Sequence, residues 1–132
     1  MINNRLVFKI LFYITASAIT LLSLVSLNIN RTESIAGVTF RMDYLFHFAA
    51  YFSMALFLGR WKCKEKLDKK LFIMILIFGI VSSSIFEFIQ LAIPNRVFNP
   101  LDVFFNFIGF CIGVIIAKEI WRNAFKKKYH NV

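Results

Sequence analysis

The sequence predicts an all-α, polytopic membrane protein, with four transmembrane helices in a single domain over residues 1–132 and both termini in the cytoplasm. Two observations carry this. Hydrophobic residues make up 59% of the chain and Phe alone occurs 17 times, well above the roughly 45–50% apolar usage of soluble domains. The apolar residues also gather into four long, nearly uncharged runs separated by short polar or basic connectors, and about 20 apolar residues in helix suffice to cross the hydrocarbon of a bilayer.

The first run, residues 6–27, follows Arg5 and carries Lys9 one turn in. It is longer than the 7–15-residue apolar core of a signal peptide, and Ser26-Leu27-Asn28 is a poor cleavage site, so a retained helix is expected. Residues 28–41 form a polar connector containing Gly37. The second run, 44–61, is short for a span and contains His47, so its flanks should lie near the interface. The segment RWKCKEKLDKK, residues 60–70, is a basic loop that anchors topology and touches anionic headgroups.

The third run, 71–93, stops at Pro94 and the fourth, 101–121, starts after Pro100, positions where proline suits a helix end and a helix beginning. A tight turn over 95–99 then makes these two helices an antiparallel hairpin. The basic tail, 122–132, is expected to fray into solvent. With the N-terminus inside, thirteen of the 16 Lys and Arg residues fall on the cytoplasmic side, leaving Arg31, Arg41 and Arg96 outside. That bias follows the positive-inside rule, and Trp61 and Trp121 then mark one interface.

The net charge of +9 could suggest a nucleic-acid partner, but the basic residues sit at segment ends rather than on one soluble face, which excludes it. Cys63 in the basic loop and Cys111 inside the fourth run are placed too far apart for a disulfide and lack metal-ligand spacing.

Helical spacing turns the topology into a candidate site. Asp43, His47, Ala50, Tyr51 and Met54 share one face of the second helix; Gly79, Ser83, Glu87, Gln90 and Pro94 one face of the third; Asp102, Asn106, Gly109 and Gly113 one face of the fourth. At about 1.5 Å per residue, His47, Gln90 and Asn106 lie roughly 6 Å below the outer helix ends, with Glu87 and Tyr51 at about 10–12 Å. Asp43, Arg96 and Asp102 stand at the mouth. All belong to the extracytoplasmic half.

An acid at mid-helix costs at least about 2.5 kcal/mol on insertion scales, so Glu87 must face the bundle, be paired or be protonated. It reads either as a general acid or base or as a structural partner of His47 or a serine. Gln90 and Asn106 serve equally as ligand contacts or interhelical glue. Asp102 and Asp43 have the alternative role of first-turn acids. Arg96 reads as an interface anchor or as a clamp on an anionic headgroup. Asp43, one turn from His47, would fix its tautomer for proton transfer or metal binding. Gly109-x-x-x-Gly113 is a packing motif.

These residues resemble the VanZ-like family of small bacterial membrane proteins. Three motifs carry the likeness: Asp43-x-x-x-His47-Phe48-x-Ala50-Tyr51; Glu87-x-x-Gln90 followed by Pro94-Asn95-Arg96; and Asp102-x-x-x-Asn106-x-x-Gly109-x-x-x-Gly113. Family members often carry an acid before the Glu and a Gly before the Arg; here those positions are Phe86 and Asn95. The resemblance implies a multi-pass protein of the bacterial cytoplasmic membrane and an association with low-level resistance to the glycopeptide teicoplanin. No reaction attaches to the family as a whole.

Two functions follow as expectations. In the first, an outward-facing polar pocket binds a lipid-linked cell-wall precursor or glycopeptide through Tyr51, Gln90, Arg96, Asp102 and Asn106. In the second, an intramembrane enzyme hydrolyses or transfers a lipid headgroup, with Asp43, His47 and Glu87 as catalytic groups. A metal is compatible with His and carboxylates, although no HExxH or cysteine framework is present. Membrane lipid is the expected partner. Four helices are few to enclose a pocket, which leaves a homo-oligomer open.

Overall fold

Backbone N–H and C=O groups in hydrocarbon have no water to bond, so each apolar run satisfies its own by coiling into helix. The computed structural model describes residues 4–24, 32–35, 38–62, 68–93 and 98–130. It contains α1 (Asn4–Leu24), α2 (Met42–Lys62), α3 (Lys69–Gln90) and α4 (Pro100–His130). The connector between α1 and α2 holds an antiparallel hairpin of β1 (Thr32–Ile35) and β2 (Val38–Arg41), registered Thr32 to Arg41 and Ile35 to Val38. Its Val, Ile, Thr and Phe content suits strands, which hydropathy alone did not separate from a polar linker.

Among the described residues three helices, α1, α3 and α4, are long and apolar enough to cross a membrane. Helix α2 has 21 residues, the length of a span, but Asp43, His47, Arg60 and Lys62 dilute its apolarity.

Local chemistry sets the helix ends. Asp68 caps α3, its carboxylate accepting from the Leu71 amide at 2.6 Å. Asn99 caps α4, accepting from the Leu101 amide at 3.1 Å, with Pro100 in the first helical position where its missing N–H costs nothing. Helix α3 ends at Gln90 rather than at residue 93: the amides of Leu91, Ala92 and Ile93 bond three residues back, to Phe88, Ile89 and Gln90, the tightened turn typical of a helix terminus. Helix α4 does not stop near residue 121 and fray; it continues to His130. Five of the nine residues of 122–130 are Lys, Arg or Ala, strong helix formers, so the basic tail extends the rod.

Successive helices run antiparallel. Arg5 donates to the Trp61 carbonyl at 3.2 Å and Phe8 packs on Phe57, joining the start of α1 to the end of α2. Phe78 meets Phe110 and Lys118 lies over Phe72, pairing α3 with α4 in opposite directions. Lys9 and Lys62 lie over the Trp61 ring, gathering charge and aromatics at one end of the bundle. Thr15 and Thr20 return their hydroxyls to the carbonyls of Leu11 and Ala16, so neither is left unpaired on α1.

The core is the α2–α4 seam, where the two helices run parallel. Tyr51, Met54, Ala55 and Leu58 of α2 are buried with Phe110, Val114 and Ala117 of α4. Small residues permit the approach: a Cβ on Gly109 would collide with the Phe48 carbonyl, and one on Gly113 would come within 2.9 Å of the Ala55 Cβ. On α3, Phe110 fills the space beside Gly79, while Ile73, Met74, Ile77, Phe78, Val81 and Ile85 stay exposed, an apolar face suited to lipid. Gly109→Ala is expected to destabilise the protein by about 1–3 kcal/mol, measured as a lower melting temperature in detergent.

Candidate functional site

The seam places the polar residues of α2 and α4 side by side. His47 Nδ1 lies 3.0 Å from Asn106 Oδ1. An amide oxygen only accepts, so Nδ1 carries a proton and donates. That bond fixes the ring and directs Nε2 toward Asp102 Oδ2, 3.7 Å away. Asp102 is held in turn: its Oδ1 accepts from Asn99 Nδ2 at 3.0 Å. Asn99 thus starts α4 with its oxygen and aims Asp102 with its nitrogen.

Helix α3 adds Glu87 and Gln90, 1% and 2% exposed. One ligand atom each of His47, Glu87 and Asp102 fall within 4.8 Å of one another. Helical arithmetic over a run reaching residue 93 puts Glu87 about 10–12 Å from its helix end; because α3 ends at Gln90, Glu87 is only three residues from that end, about 4.5 Å. The Tyr51 hydroxyl, on the same side as Glu87 and Ser83, reaches no hydrogen-bond geometry, and neither does Ser83 Oγ.

These groups open on a cavity of about 710 Å³. Its polar end is formed by His47, Tyr51, Glu87, Gln90 and Asn106, with Arg41 and Asp43 also lining it; Ile14, Ala18, Ile19 and Leu22 of α1 supply an apolar wall. The three polar stripes therefore converge. Asp102 reaches the group through His47 rather than by lining the cavity.

Asp43 does not orient His47. Its Oδ2 pairs with the Arg41 guanidinium and its Oδ1 accepts from the Tyr44 amide at 3.0 Å. A charge-assisted bond to a guanidinium two residues away outcompetes a neutral imidazole one turn on, so His47 takes its partners from α4. Burial works against the charge on Arg41, and the hydrogen bond and charge of Asp43, with Tyr44 and Asp102 adding to it, overcome that and hold its pKa above the ordinary value. Arg96, with Pro94 and Asn95, lies outside the described residues, as does Cys63. Cys111 is a free thiol.

Two contributors were not singled out from sequence. Arg41 was counted only as an outside charge, although its place just before Asp43 signals a local ion pair. Asn99 falls within the predicted turn, although Asn99-Pro100-x-Asp102 has the form of a helix start whose cap faces an acid three residues on.

A family model described as VanZ/LLP1 matches residues 3–122, which takes in all four helices up to the basic extension of α4 and every residue of this site. The chain belongs to the VanZ/LLP1 family. With its long apolar helices, that makes it a membrane protein. No match is found among curated proteins or among solved structures. For this VanZ/LLP1 chain the bond between His47 and Asn106 is the link that joins two of the motifs. A double-mutant cycle between His47→Phe and Asn106→Leu, read as thermal stability in detergent, is expected to show a coupling of about 1 kcal/mol. Strictly additive losses would speak against the bond.

Proposed function

We propose that this VanZ/LLP1 protein sits in the bacterial cytoplasmic membrane with α2 as a fourth span and both termini inside, and that its cavity faces outward to bind an anionic, lipid-linked cell-wall precursor or a glycopeptide, lowering glycopeptide susceptibility. The supporting observation is the two-sided cavity: a polar end built by α2, α3 and α4 against an apolar wall from α1. An amphipathic ligand matches both halves. At about 710 Å³ the cavity is the size of a small-molecule site, enough for a headgroup and the first part of a chain, so the remainder of such a ligand extends into lipid or solvent. The charge count supports the orientation, with Arg31, Arg41 and Arg96 on the outer side. Arg41 lines the cavity with its partner Asp43, and Arg96 is the cation offered to an anionic group.

A second reading has one observation in its favour. The convergence of His47, Glu87 and Asp102 is the kind of arrangement that moves protons, and it supports an intramembrane hydrolase or transferase acting on a lipid headgroup. In that case Glu87 and His47 act on substrate while Asp43 serves Arg41 and not the imidazole. Turnover of an envelope lipid that disappears in Glu87→Gln would favour this reading over simple binding.

Expression in a glycopeptide-susceptible bacterium is expected to raise the inhibitory concentration of teicoplanin. Glu87→Gln and Arg96→Ala, at unchanged protein level, are expected to return it to the baseline. Full protection in both variants would sink the pocket reading.

A further inference from the structure

We propose that His47 Nε2 and the carboxylates of Glu87 and Asp102 hold one first-row divalent cation, whose open coordination position faces the cavity and takes an anionic oxygen of the ligand. The last step rests on the pocket reading above; the cation site itself does not.

Charge balance is the first argument. Glu87 and Asp102 are 1% and 5% exposed, and two ionised carboxylates so close in apolar surroundings repel each other unless a positive charge stands between them. Arg41 is bonded to Asp43 and also acts on Asp102, one positive charge shared between two carboxylates. A single dication with two carboxylates and a neutral imidazole leaves the group electrically neutral, the least costly state for a dry site.

Geometry is the second. Donors at about 2.1 Å from a tetrahedral metal stand about 3.4 Å apart. His47 Nε2 and Asp102 Oδ2 are 3.7 Å apart and the full set lies within 4.8 Å, close to and slightly wider than the spacing a bound cation would impose. Nδ1 is committed to Asn106, which leaves Nε2 as the imidazole's donor atom. Metal-binding histidines use the opposite ring nitrogen in this way, held by an oxygen acceptor. Asn99 plays the same part for Asp102.

The buried Tyr51 hydroxyl is an independent pointer. It is 2% exposed, lines the same cavity and has Glu87 and the Ser83 hydroxyl as neighbours, although it and Ser83 Oγ fall short of hydrogen-bond geometry. A hydroxyl buried in this state is suited to a water or ligand oxygen on the cation, since a polar atom left unmatched is costly. The donor set selects the metal class: one nitrogen and two carboxylates suit zinc, manganese or iron, whereas magnesium and calcium prefer oxygen alone.

The test uses the full chain, purified in detergent with chelator and then loaded with Zn2+ or, separately, Mn2+. After gel filtration, one metal per chain is expected. His47→Gln and Asp102→Asn are expected to weaken retention at least about tenfold, and Asn106→Leu, which removes the acceptor of the ring's far nitrogen, by roughly ten- to a hundredfold. Should a variant fail to fold, the wild type decides alone: Zn2+ raises its melting temperature, chelator reverses the rise, and X-ray absorption of the Zn2+ form shows one imidazole and two oxygen donors from protein. No retained metal, an unshifted melting temperature, a shell without imidazole, or undiminished retention in folded His47→Gln and Asp102→Asn overturns the site. Because these readouts need no lipid, metal uptake without any teicoplanin phenotype upholds the cation site and rejects the pocket reading instead.

Discussion

The close approach of α2 to α4 is the constraint on which the rest of the molecule depends. Gly109 lies under the Phe48 carbonyl and Gly113 under that of Phe52, leaving no room for a side chain at either. Lipid tails are as apolar as leucine, so two helices in a bilayer gain little from hiding apolar surface and must gain from tight packing and hydrogen bonds. Glycine supplies the first, and His47 with Asn106 the second. A side chain as short as Asn could not span a wider seam, so the spacing that packs the bundle also assembles the polar group. Helix α3 leans on this unit through Gly79 and Phe110, and α1 closes the cavity from the other side.

Much of this was legible in the chain because helices in lipid obey two simple rules, length and periodicity. The apolar runs place α1, α2 and α3 to within three residues at either end, and the start but not the end of α4. The i, i+3 and i, i+4 spacings put His47 with Tyr51, Glu87 with Gln90 and Asn106 with Gly109 on faces that meet. Arrangement of partners was not legible. Periodicity says which residues share a helix face but not which side chain across the seam each one reaches, so Asp43 was assigned to His47 when Arg41 holds it. Hydropathy is equally silent on a short hairpin, since β1 and β2 have the polarity of a loop. It also misjudged the tail, because Lys and Arg read as solvent-loving while being good helix formers.

The end of the bundle where α2 and α4 begin joins several of these partial readings. Asn99, Asp102, His47 and Asn106 form a chain of bonded or closely apposed groups in which every link crosses from one motif position to another or to a helix cap. Replacing any one of them disturbs the aim of the next. That dependence gives a physical reason for motif spacing that would otherwise look like two unrelated signatures on two helices.

The parallel run of α2 and α4 has an electrostatic result as well. Two helices pointing the same way bring their amino termini to one place, and each terminus behaves as roughly half a positive charge from its unsatisfied N–H groups. Asp43 and Asp102 occupy those first turns, where negative charge is favoured. An antiparallel pair would cancel this field; a parallel pair doubles it. The backbone itself therefore makes this end of the bundle hospitable to anions, before any side chain is counted.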